Sequence, residues 1–183
     1  MADVPTTKNA ILERFRSDVE ALNSALAQLS PEELERPHAV GEWSLKDTLA
    51  HISSPWLAGQ LEAYVAGRDP NALETFGHDQ APEPGDDLTT NDGRNAWSHR
   101  FEQALTLEQV QGRYTDYVQR VTAALEQVPD EDFERTFTLE QMGYVGRLRP
   151  GETGQPAVPL WRWVQGNTWH HIEDHLPAFR KAE

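Results

Sequence analysis

Residues 159–180 read PLWRWVQGNTWHHIEDHLPAFR, the most apolar and aromatic stretch of an otherwise polar chain. Within it Trp161, Val164, Thr168, His171, His175 and Phe179 recur at steps of three and four, which is one face of an α-helix. The pattern predicts a helix over 160–180 whose inward stripe carries His171 and His175 one turn apart. Two imidazoles at i and i+4 can hold one metal ion without bending the backbone. They can equally be polar side chains on a core stripe, each with its own hydrogen-bond partner. A third ligand elsewhere in the chain separates the two readings. His170 lies about 100° round the helix from His171, and a register pairing His170 with Asp174 is an alternative. His171 and His175 continue the stripe of Val164 and Thr168, which favours them.

Three further long helices are expected upstream, over 9–28, 45–65 and 107–127. Ile11, Phe15, Val19, Leu22, Leu26 and Leu29 form the first apolar stripe. Ser30-Pro31-Glu32-Glu33 and Ser44-Leu45-Lys46-Asp47 both read as helix starts, with a capping hydroxyl and an acid three residues on. The helix after Ser44 has Leu45, Leu49, Ile52, Trp56 and Gly59 on its stripe. His51 sits on its flank, and Pro55 predicts a kink, since it has no N–H for the His51 carbonyl. Thr106-Leu107-Glu108-Gln109 starts the next long helix, with Val110, Tyr114, Tyr117, Val121, Leu125 and Val128 inward and Pro129 as its stop. Between these, 67–93 is rich in Pro, Gly and Asp and reads as a long, mobile loop lying over the open end of a bundle, with a turn of helix near 72–76 and a solvated His78. A shorter helix over 94–104 places Trp97, Phe101 and Leu105 on one face and His99 off it, toward solvent. Residues 130–158 read as irregular, with a short extended piece around Phe137, Met142 and Tyr144. Amphipathic helices without a clear strand pattern imply an all-α, four-helix bundle in a single domain spanning 1–183.

Composition narrows the chemistry. The 183 residues carry 16 Lys and Arg against 30 Asp and Glu, a formal charge of −14. Such a surface repels phosphate backbones, so no nucleic-acid partner is expected. No run approaches the roughly 20 apolar residues of a membrane span, so no membrane partner is expected either. The first residues, MADVPTTKNA, show no basic-then-apolar leader pattern, and a cytoplasmic location is expected. The chain has no cysteine, hence no thiolate ligand and no thiol nucleophile of its own. Six Trp, at 43, 56, 97, 161, 163 and 169, cluster near the histidine-bearing stretches. Trp163 and Trp169 fall off the apolar stripe, and such exposed aromatics point to a homodimer.

GEWSLKDTLAHISSPW, residues 41–56, resembles the second helix of DinB-like proteins, in which a Trp-Ser/Thr start precedes a helical His. HHIEDHLPAFRK, residues 170–181, resembles the family's final His-x-x-x-His helix, and the order of elements agrees across essentially the whole chain. The resemblance implies an up-down-down-up bundle with one divalent metal on His51, His171 and His175. Related branches include the N-terminal domain of mycothiol-dependent maleylpyruvate isomerase, thiol-dependent transferases and proteins described as metal-dependent hydrolases or damage-inducible. Relatives often dimerise.

Three neutral imidazoles suit Zn, Ni, Cu or Fe(II) and leave a position open. That position can carry water for hydrolysis or bind and ionise a low-molecular-weight thiol. The resemblance favours an external thiol of the bacillithiol or mycothiol kind, transferred to a small electrophile. Asp47, Glu173 and Asp174 are candidates to accept the free imidazole N–H groups, or are solvated charges on helix surfaces. The competing reading is a non-catalytic bundle, with a structural metal or a small-ligand role in stress response.

Overall fold

The computed structural model describes residues 4–70, 83–86, 91–137 and 157–180. Most of the 67–93 stretch, including His78, and the sites of Met142 and Tyr144 lie outside the described residues. Eight α-helices account for nearly all regular structure among them: α1 Lys8–Leu26, α2 Pro31–Leu34, α3 Leu45–Ile52, α4 Pro55–Val65, α5 Asn91–Glu102, α6 Leu107–Gln127, α7 Leu160–Asn167 and α8 Trp169–Phe179. A two-residue ribbon, β1 Thr136–Phe137 paired antiparallel with β2 Val158–Pro159, is the one sheet there. It follows a 3-10 turn at Asp130–Glu134 that buries Phe133. Phe137 is therefore extended, as expected. The fold is all-α. No described helix is long and apolar enough to cross a membrane.

The caps form where the sequence places them. Ser30 with Glu33, Ser44 with Asp47 and Thr106 with Gln109 each close a reciprocal capping box, satisfying two helix-end donors apiece. The stripes of α1 and α6 are buried as read, from Ile11, Phe15 and Leu22 to Val110, Tyr117 and Leu125. Packing closes a ring: α1 meets α8, α8 meets α3, α3 meets α6, and α6 returns to α1. The core lies inside that ring, and α4 continues the α3 column along α6.

Two of the four expected long helices are broken. At Pro55 the break is complete, where a kink was expected. The His51 carbonyl has no N–H at position 55 to receive, and Ser54 N donates to it instead at 3.2 Å. Pro55 then serves as the first residue of α4, where its missing N–H costs nothing. The second break is at Thr168, whose φ of −131° and ψ of −101° leave the helical region. Here side chains take over backbone acceptors: Asn167 Nδ2 donates to the Trp163 carbonyl at 2.8 Å and Thr168 Oγ1 to that of Val164 at 2.5 Å. Tyr117 Oη donates to the freed Asn167 carbonyl at 3.2 Å.

The second break re-phases the last column. The buried stripe of α8 is Trp169, Ile172, Leu176 and Phe179, with His171 and His175 half-buried beside it. Trp163 and Trp169 are 5% and 2% exposed, and Trp161 is the half-exposed one. This corrects the expectation that Trp163 and Trp169 are surface aromatics, and removes the basis on which they pointed to a homodimer. Among the described residues Val4 alone is a large exposed apolar side chain.

Candidate metal centre

The break at Ser53-Ser54 leaves His51 in the last turn of α3, facing α8 across the bundle. His171 and His175 come from the first two turns of α8. The three imidazoles meet: one ring nitrogen from each lies within 4.8 Å of the other two. Ring centroids are 4.6 Å apart for His51 and His171, 5.1 Å for His51 and His175, and 5.0 Å for His171 and His175. The ring planes are steeply inclined, at 89°, 89° and 72° for the same three pairs.

His51 Nε2 and His171 Nε2 are 2.9 Å apart. At that distance one nitrogen must carry the proton and the other the lone pair. A cation can take the place of that shared proton. With metal–nitrogen bonds of ~2.0–2.1 Å, the pair would subtend roughly 90° at the ion. Three borderline nitrogen donors and no thiolate fit a divalent first-row ion.

Burial keeps these rings neutral. His51 is pushed down to about 4, first by desolvation and then by the neighbouring His175 and His99. His171 is driven well below the usual imidazole value by burial, with His51, His175 and His170 adding to the effect. Burial also lowers His175, partly offset by the Asp174 carboxylate. Neutral imidazole is the ligating form, so the site is ready for a cation at neutral pH.

In metal-free protein the same depression predicts an acid-sensitive fold. Unfolded imidazoles take up protons near pH 6.5, whereas His51 in the fold resists until about 4. The unfolded state thus binds more protons in that window, and stability is full above pH 6.5 and lost as pH falls toward 4. His51 contributes about 3 kcal/mol to that loss. Urea unfolding of chelator-treated protein at pH 7 and pH 5 should show it, with a smaller difference in His51→Leu. An equal pH dependence in both proteins would count against burial of His51 as its source.

The carboxylates expected to support the ligands are engaged elsewhere. Asp47 accepts from Ser44 N at 2.9 Å and Ser44 Oγ at 2.7 Å, as the cap of α3. Glu173 pairs with Arg14 of α1 at 3.0 Å. Asp174 lies 3.6 Å from His170 Nε2, and reaches His175 only through its field. None of the three bonds to a ring of the triad among the described contacts, and His171 Nδ1 is buried with no protein partner. His170 is exposed, so the alternative His170/Asp174 register faces solvent.

Two residues that the sequence did not assign to the site frame it. Trp43 stacks on His99 at 4.8 Å with planes 22° apart, and meets His51 edge-on at 5.2 Å. His99 is thus half-buried beside the triad, and not at a solvent-facing position as expected. Trp43 is fixed by a tight turn, in which Val40 and Trp43 exchange backbone bonds of 2.9 and 3.0 Å around Gly41 at φ 61°. Behind the site, Glu102 of α5 is 2% exposed. It accepts from Ser54 Oγ at 2.9 Å and pairs with Arg113 of α6, whose Nε donates to the Ser53 carbonyl at 3.4 Å. This network pins the break that follows His51. A Glu near the C-terminal end of an amphipathic helix gives no sign in sequence that it is buried.

Comparison with known proteins agrees with the fold. Two solved structures share the fold. One is the colibactin self-resistance protein ClbS in complex with double-stranded DNA, at TM-score 0.63 and 17% identity, covering 97% of this chain and 95% of that one. The other is an uncharacterised protein from Escherichia coli UTI89, at TM-score 0.65 and 17% identity, covering 97% and 93%. No curated protein matches the chain. The DNA complex overturns the exclusion of nucleic acid drawn from net charge. Charge summed over a chain does not fix the local field at one surface, and a phosphate responds to the local field. The family model of the DinB superfamily matches residues 6–175, from the start of α1 to the last of the three histidines. The chain belongs to the DinB superfamily.

Proposed function

We propose that the chain holds one divalent cation on His51, His171 and His175 and acts on a small electrophile, by transfer from an external low-molecular-weight thiol or by hydrolysis. The observation that carries this reading is the convergence of three neutral imidazoles, from two helices far apart in sequence, on one point. When bound, the cation would supply Lewis acidity for a thiol or a water. The protein's own part is to hold three lone pairs in a half-buried setting, with Trp43 and His99 forming one wall. Zn, Ni and Fe(II) suit the donor set, and the absence of cysteine means that any thiol comes from outside.

The test is turnover of a model electrophile, 1-chloro-2,4-dinitrobenzene, with and without an added thiol. Metal-dependent turnover that requires the thiol supports transfer, and turnover of an activated ester without thiol supports hydrolysis. Metal bound tightly with neither activity would leave the non-catalytic reading, a structural ion, in place.

A second reading, engagement of duplex DNA, is favoured by the DNA complex of a protein with the same fold. A gel-shift titration with a 20-base-pair duplex is its test. Binding that weakens steeply with added salt supports it, and no binding at 50 mM salt removes it.

A further inference from the structure

A cavity opens at the end of the bundle remote from the triad. Arg113, whose Nε reaches the Ser53 carbonyl, stands near the start of α6, and Gln127 is the last residue of that helix. The rise between them is about 21 Å. Gln127 lines a cavity of about 460 Å³ between the ends of α4 and α6 and the strand β1. That volume suits a small-molecule ligand.

Local structure delivers two arginines to this cavity. α4 ends in a Schellman turn, with Gly67 at φ 66°. Gly67 N donates to the Tyr64 carbonyl at 3.0 Å and Arg68 N to that of Ala63 at 2.8 Å. The turn carries Arg68 onto the cavity wall. The acid that feels its field, Glu62, is held instead by two nitrogens of Arg120, at 2.8 and 2.7 Å. Arg135 comes from the other side, fixed where its carbonyl accepts from Leu160 N at 3.0 Å. Its guanidinium carbon lies 5.0 Å from the centre of the Phe137 ring, and Nη1 is 3.8 Å from Asp132 Oδ1. The latter is longer than a hydrogen bond, so the N–H groups of Arg135 are not consumed there. Tyr64 Oη donates to the other oxygen of Asp132 at 2.9 Å.

The cavity thus sets two guanidinium groups against one carboxylate, in a chain whose formal charge is −14. A local excess of positive charge draws an anion. One guanidinium fork matches a carboxylate, whereas two forks from different elements fit the three outer oxygens of a phosphate group. Val65, Pro129 and the buried Phe137 supply an apolar wall, which suits an organic body attached to that group.

We propose that this cavity binds a small phosphate monoester, with Arg68 and Arg135 on the phosphate and the apolar wall against its organic part. The site uses none of the three histidines and stands whether or not they hold a metal.

Phenyl phosphate is the probe, with inorganic phosphate and phenol as its two halves, in thermal-shift and calorimetric titrations at constant ionic strength. Titrations are made on the chelator-treated full chain and on His51→Ala, so that phosphate on a triad metal is not mistaken for phosphate in the cavity. Saturable stabilisation by phenyl phosphate is expected in both. Inorganic phosphate and phenol, each lacking one half of the contacts, should bind at least about tenfold more weakly. Arg68→Met and Arg135→Met should each weaken phenyl phosphate binding at least about tenfold, as for loss of a charge-assisted hydrogen bond. Both side chains are exposed, and circular dichroism checks that the variants fold. Arg36→Met, which removes an exposed arginine elsewhere, should bind like the parent. No saturable response, an equal response to either half, unchanged affinity in the Arg68 and Arg135 variants, or an equal loss in Arg36→Met would overturn the proposal.

Discussion

Replacing His51 by Ala is expected to lower affinity for Zn²⁺ by more than the roughly 10–100-fold seen when only an outer partner of a ligand is lost. His171 and His175 would remain as a half-buried i, i+4 pair on α8, able to hold an ion only loosely. His51 closes the set from the opposite helix, with its Nε2 already 2.9 Å from that of His171. Competition with a chromogenic chelator gives the affinities, and circular dichroism confirms that the fold survives. Because His51 is half-buried and its neutral ring is replaced by a small apolar group, the fold itself should be little affected. Unchanged Zn²⁺ affinity in His51→Ala would remove His51 from the site. His170→Ala is the matched control, since that ring faces solvent, and it should bind like the parent.

Arg113→Met is expected to be the most destabilising single change outside the apolar core. It leaves the Glu102 carboxylate buried with Ser54 as its one remaining partner. Breaking a buried pair by removing one member costs about 3–5 kcal/mol. For a chain of this length that corresponds to a fall in Tm of roughly 6–20 °C. Burial already raises the Glu102 pKa, against the lowering effect of Arg113. Without Arg113 the carboxyl should take up a proton in the folded state more readily than in the unfolded one. The deficit of Arg113→Met should then shrink as pH falls from 7 toward 5, opposite in sign to the effect of the triad histidines. Thermal melts at the two pH values separate this from simple loss of packing. A deficit that does not change with pH would mean that the carboxylate is not what suffers. Because Arg113 also bonds the Ser53 carbonyl, two residues past His51, Zn²⁺ affinity should fall with stability.

The residues that could be read from sequence are those whose neighbours are local. Capping boxes at Ser30, Ser44 and Thr106 use partners three residues away, and all three form as read. The stripes of α1 and α6 obey one helical period, and both are buried, that of α1 as far as Leu22 with Leu26 and Leu29 half-buried. The meeting of His51 with His171 and His175 follows once both helices must share a core. What sequence conceals is where a helix changes phase. A proline signals weakness at 55, yet the outcome, a kink or a full break, depends on whether another N–H can reach the His51 carbonyl. Ser54 does reach it. At Thr168 no proline warns of the break, which comes from Asn167 and Thr168 side chains competing for carbonyls of the preceding turn. Past that shift Trp169 joins the core, as Trp163 does on α7 before it. The shift also moves the histidines to the flank of a stripe formed by Trp169, Ile172, Leu176 and Phe179. The burial of Glu102 and His99, and the partners that Asp47, Glu173 and Asp174 take, are hidden from sequence for a related reason. Whether a charged side chain on an amphipathic helix meets solvent or a partner is decided by a second helix. Asp47, Glu173 and Asp174 each found a nearer partner than a triad ring: Ser44, Arg14 and His170.

X-ray absorption at the zinc edge of protein loaded with one equivalent of Zn²⁺ tests the central claim most directly. Convergence of His51, His171 and His175 on one ion predicts three nitrogen scatterers at ~2.0–2.1 Å, with the outer-shell pattern of imidazole, and at least one further light-atom ligand. His51→Ala should reduce the imidazole count to two or fewer. A first shell made of oxygen, or a spectrum fitted by a single imidazole and unaltered in His51→Ala, would contradict the account.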